Sequence, residues 1–223
     1  MLNKRFKLKK RETGSALIIG LTILLLMLIL GTAGMRTTIM EERMAGNTRD
    51  YNNAFQAGEV GLIDGEQDLS NKDPVTKQKL RLVDYSRNDF ANDCNVGNTN
   101  RLLDGLCVAT TTNPPQWLAI DWNAVGVPGT APLPYRIYGQ HTEINGNPPT
   151  PLPPYPSDPT QRRRQPRYII EYLGGLGSLV VGRNPTALTN YFRITTQGYG
   201  IATTDDAPPL PIARMMLQSI YGK

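Results

Sequence analysis

The stretch SALIIGLTILLLMLILGTAGM, residues 15–35, runs for 21 positions without a charge. Wound as an α-helix at about 1.5 Å per residue, it reaches roughly 31 Å, the hydrocarbon thickness of a bilayer. Its flanks differ in charge. Ahead of it stand Lys4, Arg5, Lys7, Lys9, Lys10 and Arg11 with one acid, Glu12; behind it come Arg36 and then Glu41 and Glu42. The positive-inside rule then predicts a single inner-membrane span, with the N-terminus in the cytoplasm and the body of the chain on the other side. A buried core helix is the competing reading. The basic cluster directly before so long an uncharged run argues against it.

Working outward, the basic leader holds the whole net charge of the 223-residue chain, which is +5. The remainder balances 18 basic against 18 acidic residues, so a nucleic-acid-binding body is not expected. Hydrophobic residues make up 39% and charged residues 19%, a globular composition. Two cysteines and one histidine exclude all-cysteine zinc or iron–sulfur sites and most histidine-based metal sites. There is no GxSxG, no phosphate-binding glycine loop and no HExxH. The expectation is a chain without cofactor, metal or enzymatic activity, and His141, set among Pro and Gly, reads as a surface residue.

Beyond the span the helix pattern continues. Met40, Met44, Tyr51, Phe55, Leu62 and Leu69 recur at helical spacing, and the first later proline is Pro74. This predicts one rod: a membrane half at 15–35, then an amphipathic half at 36–72 laying that apolar stripe on a globular head at 73–223. Gly46, Gly58, Gly61 and Gly65 predict a bend or local melting in the outer half. Gly31, Ala33 and Gly34 imitate a signal-peptidase site, but a helix that continues past them argues for a retained span.

A basic leader ending in Gly14, followed at once by an apolar helix that becomes amphipathic, resembles the type IV pilins. Within that class, residues 11–59 resemble PilX-type minor pilins. The most specific elements are EERMAGN (Glu41, Glu42, Arg43, Met44, Ala45, Gly46, Asn47) and AFQAGE at 54–59; YFRITTQGYG and LQSIYGK resemble the family's ending. The resemblance implies that a prepilin peptidase cuts between Gly14 and Ser15, that Ser15 becomes an N-methylated terminus, and that the span is kept. Most pilins carry glutamate as the fifth mature residue; counting from Ser15, that position is Ile19. A carboxylate in an apolar helix bundle costs several kcal/mol unless paired. Its absence suits a subunit at a fibre tip, and it also suits an ordinary anchor with one more lipid-facing residue.

Cys94 and Cys107 bracket a short Gly- and Asn-rich loop. Outside the cytoplasm a disulfide is the expected outcome, with two reduced thiols or a metal pair as alternatives. Eleven prolines between 127 and 166 predict a surface loop, although a polyproline recognition segment fits as well. Arg162, Arg163, Arg164 and Arg167 read as a solvated basic cluster, and Asp64, Glu66, Asp68 and Asp73 as an acidic crowd without a calcium-loop spacing. Trp117 and Trp122 read as core. Short β-rich runs at 167–173, 178–182, 191–196 and 212–221 suit an antiparallel sheet. A long N-terminal helix packed on that sheet gives an α+β fold.

The function these readings imply is that of a minor pilin in type IV pilus assembly, in the tip complex that primes polymerisation, with a bearing on adhesion and twitching motility. The implied partners are other minor pilins, the major pilin, a PilY-type tip adhesin, the prepilin peptidase and the inner membrane, and no nucleic acid. A K-type pseudopilin of type II secretion is the nearest alternative, but those carry a much larger inserted domain. A bitopic membrane-anchored periplasmic protein of unrelated role is the other.

Overall fold

The computed structural model describes residues 14–70, 87–92, 94, 103–110, 114–124, 133–139, 141–142, 164–177, 188–204 and 210–223. The leader at 1–13, Asp73, Arg162, Arg163 and the strand expected at 178–182 lie outside these residues, as does most of the proline-rich stretch. The chain divides into two units, Met1–Asn47 and Thr48–Lys223, and helix α1, Ser15–Ser70, contributes to both.

In the first unit every described residue is exposed, including the whole apolar run. Among the described residues, α1 is the one helix long and apolar enough to cross a membrane. Four of its threonines turn inward on the helix itself. The hydroxyls of Thr22, Thr32, Thr37 and Thr38 donate to the carbonyls of Ile19, Ile29, Ala33 and Gly34 at 2.9 to 3.2 Å. An apolar medium offers such groups no water, so this back-bonding is what lets threonine sit in the run.

The second unit is a sheet with the end of α1 on one face. Strand β1 is Leu106–Val108, β2 Arg136–Ile137, β3 Arg167–Gly177, β4 Leu188–Tyr199 and β5 Arg214–Gly222, with a one-turn helix α2 at Gln116–Ala119. The order is β1-β3-β4-β5, and β2 also pairs with β3. All pairings are antiparallel except β1 with β3, which is parallel and sets Cys107 beside Glu171. The sheet is therefore mostly antiparallel rather than wholly so. Gly174, at φ +117°, sits where the β3–β4 register shifts.

Alternation along β3 divides the core in two. Tyr168 and Ile170 point to the α1 side, where they pack with Leu69, Phe90, Leu106, Phe192 and Ile194. Ile169 points to the other side and packs with Cys94, Cys107, Ile120, Trp122, Leu133 and Tyr135. Phe90, Tyr172 and Phe192 form an aromatic triangle with centroids 5.6 to 5.8 Å apart.

The face that α1 buries differs from the expected stripe. Asp50, Ala54, Ala57, Gly58, Gly61, Asp64, Gly65, Asp68 and Leu69 are buried. Tyr51 and Phe55 are 54% and 41% exposed, and Met40 and Met44 are exposed as well. At about 100° per residue, the apolar stripe lies roughly a quarter-turn from the buried face. The physical reason is close approach. A Cβ on Gly58 would stand 2.9 Å from Leu217 Cδ1, and one on Gly65 2.7 Å from Ile194 Cγ2. From the sheet side, a Cβ on Gly198 would strike the carbonyl of Ala54 and Gly58. Of the glycines expected to bend the helix, Gly58, Gly61 and Gly65 are instead the positions that let helix and sheet approach closely, and α1 runs unbroken through all four.

Candidate functional site

Because the buried face of α1 carries small residues, the aspartates set among them reach the sheet and loops directly. Asp50, Asp64 and Asp68 share one face, since steps of 14 and 18 residues return to nearly the same helical phase. Asp50 Oδ1 accepts the backbone N–H groups of Ile201 and Ala202 at 2.5 and 2.9 Å, fixing the loop after β4. Asp64 accepts the Gly139 N–H at 2.9 Å and the Thr142 hydroxyl. Asp68 pairs with Arg136 and accepts the Tyr168 hydroxyl at 3.2 Å. The Arg136 Nε donates to the Asp104 carbonyl at 2.6 Å. Glu66 accepts the Ser219 hydroxyl at 3.0 Å, and Lys223 Nζ donates to the Leu69 carbonyl at 3.0 Å at the helix end.

These contacts correct several expectations. Within the acidic crowd, Asp64 and Asp68 are buried anchors. Arg136, inside the stretch expected as a surface loop, is fully buried, and so is neighbouring Tyr135. His141 is buried too, at 7% exposure, because Thr142 beside it is held by Asp64. Arg167 is buried in β3 rather than solvated. It donates to the carbonyl of Trp122 and lies 4.2 Å over the Tyr135 ring, and Arg164 lies 5.3 Å over Tyr199. Burial draws the Arg167 guanidinium below its ordinary pKa and raises those of Tyr199 and Tyr135 above theirs. Burial likewise raises the Asp64 carboxyl, against the opposing pull of Thr142 and the Gly139 N–H. Trp122 is core, with its indole N–H on the Trp117 carbonyl at 2.9 Å.

Cys94 and Cys107 are bonded to each other, with Cα atoms 4.8 Å apart, in the core on the far side of the sheet from α1. Beside them Glu171 is fully buried and held by Arg193 through two bonds of 2.7 and 2.8 Å, which raise the Arg193 pKa above its usual value. Among the described residues no group of three His, Cys, Asp or Glu side chains could hold a metal ion.

The positions singled out in the N-terminal region lie together on the first unit. Gly14 directly precedes α1, Ser15 opens it, and Ile19 is exposed in its apolar run. The motif Glu41, Glu42, Arg43, Met44, Ala45, Gly46, Asn47 is exposed on the same helix. In the sequence Asp64 and Asp68 stand out only as members of an acidic crowd, and Asp50 not at all. The available signal was an Asp–Ala–Gly face recurring with period 3.6.

The apolar half of α1 is exposed along its whole length among the described residues. So much bare apolar surface requires lipid or other helices around it. The family model described as PilX N-terminal matches residues 13–62, and the one described as type IV pilus assembly protein PilX C-term matches residues 103–223. No curated protein and no solved structure matches the chain. The chain belongs to the PilX family, the minor pilins of the type IV pilus. That is a family of structural proteins that act by associating with other pilus components.

Proposed function

We propose that this minor pilin acts at or near the tip of the fibre and primes its assembly. The observation that carries the reading is Ile19, an exposed apolar side chain where a shaft pilin carries glutamate. In a shaft, each arriving α-amino group enters a low-dielectric bundle, where an unpaired charge costs several kcal/mol. A subunit without the carboxylate offers no partner to a neighbour's amine, so runs of it are unfavourable. Its own amine can still pair with a glutamate elsewhere.

In this reading the leader is removed between Gly14 and Ser15 by the prepilin peptidase and Ser15 is N-methylated. The N-terminus starts in the cytoplasm and the head in the periplasm, as the basic leader supports. The helix then leaves the bilayer for a bundle of pilin helices, drawn by van der Waals contact at small residues such as Gly20 and Gly31. The partners are the other minor pilins, the major pilin and a PilY-type adhesin, which would link the subunit to adhesion and twitching.

The test is the subunit's stoichiometry in sheared fibres, together with the phenotype of its deletion. The reading expects a very low copy number relative to the major pilin, and fewer fibres of unchanged shaft structure after deletion. Recovery along the shaft at comparable abundance would overturn it.

A further inference from the structure

We infer that the outer edge of β5, which no other described strand pairs, is a docking strand for an extended segment of a second pilus protein. The backbone phase of β5 is fixed at both ends. Asn190 and Lys223 exchange both of their backbone bonds at 2.8 and 2.9 Å, and the Gly200 N–H reaches the Ala213 carbonyl at 2.9 Å. Along this unbroken register the odd-numbered residues of β5 bond to β4. The N–H and C=O groups of Arg214, Met216, Gln218, Ile220 and Gly222 therefore point outward, and among the described residues nothing bonds to them. A nine-residue edge without proline, bulge or inward charge lacks the usual defences against pairing. A row of alternating donors and acceptors is complemented by one thing, another extended backbone.

The side chains around the edge say what kind of segment fits. Gly58 meets Leu217 and Glu66 bonds Ser219, which places one sector of α1 over β5. Phe55, Glu59 and Glu66 fall within about 40° of each other on that sector. Phe55 and Glu59 are exposed there. An added strand would cover Phe55 and bring its α1-side residues near two carboxylates. It should be apolar at alternate positions, with Lys or Arg on the side facing α1. A second copy fits poorly: the α1-side residues of β5 are Met215, Leu217, Ser219 and Tyr221, with no basic group to face Glu59 and Glu66. The inference does not depend on tip placement, since such an edge serves a subunit anywhere in the fibre.

The test uses the full chain in cells that make pili, carrying the photo-cross-linker of Phe55→p-benzoylphenylalanine. The adduct is identified by mass spectrometry and normalised to protein whose Cys94–Cys107 bond is intact on non-reducing gels. The expected result is an adduct to another pilus protein within an alternating apolar segment, and none from the same probe in Gln56→p-benzoylphenylalanine on the far side of α1. Ile220→Pro removes only an outward N–H, which an edge strand tolerates. Adding it should cut the adduct roughly tenfold or more, the effect of losing about one backbone bond and its neighbours' alignment. Ile220→Lys, which charges the edge without touching the backbone, should do the same and decides the matter if the proline variant does not fold. No adduct, an adduct to a second copy, or an adduct indifferent to both Ile220 variants would overturn the inference. The last outcome would mean that Phe55 is covered by helix packing alone.

Discussion

Asp68 of α1 and Arg136 of β2 form an ion pair in which neither side chain is exposed. It joins the helix to a strand 68 residues further along the chain, and through Arg136 Nε to the Asp104 carbonyl. Removing one partner strands the other's charge, so Asp68→Ala or Arg136→Ala should each destabilise the head by about 3–5 kcal/mol. The double variant Asp68→Leu/Arg136→Met should recover much of that loss, because desolvation of both charges is relieved together. Urea unfolding of the three proteins checks this; additive losses would refute a coupled pair.

Close approach of backbones makes a second expectation. Gly198→Ala would push a methyl into the Ala54 carbonyl and Gly58. The loss should be at least about 1–3 kcal/mol, the range for overpacking. Gly46→Ala meets nothing within 4 Å and removes a helix-interior glycine, so it should gain about 0.5–1 kcal/mol. Thermal unfolding measured side by side should show shifts of opposite sign.

The pH dependence follows from Asp64. Burial raises its folded-state pKa above the ordinary carboxyl value. The folded protein therefore binds this proton more tightly than the unfolded chain does. The resulting stabilisation is complete below the unfolded pKa and is lost as pH rises through the raised folded value. Asp64→Asn keeps an acceptor for the Gly139 N–H and removes the titration. Relative to Asp64→Asn, the native protein should look most stable in acid and lose ground as pH rises across that window. A difference that is flat with pH would contradict the assignment.

The disulfide closes a loop with a sequence separation of 13. In the chain-entropy view a loop of this size contributes roughly 3 kcal/mol, so Cys107→Ser should lose about that much. Thiol labelling of the exported protein should detect no free cysteine until a reductant is added.

Processing is read from the mature terminus. Mass spectrometry of the membrane-extracted protein should show residues 1–14 missing and a methylated Ser15. A terminus beyond residue 31 would instead indicate cleavage by an ordinary signal peptidase.

The sequence by itself determined the apolar helix, the pilin resemblance and the three long strands. Each is written locally: an uncharged run of membrane length, a short motif, and β-rich segments between turns. β3, β4 and β5 each extend or shift by a few residues from the runs that announced them, because ladder bonding continues past the apolar stretch. Only the tertiary structure decided which face of α1 the head covers. The Tyr51–Phe55 stripe had the hydrophobic signal, but the Ala–Gly–Asp face had the shape. A helix without bulky side chains lets backbones approach, and its aspartates then find Gly139, Thr142, Arg136 and Ile201 at positions far along the chain. Burial of Arg136, His141 and Arg167 has the same origin. Polar residues are placed inside by partners that sequence neighbours do not reveal, and no local pattern encodes a partner so far along the chain.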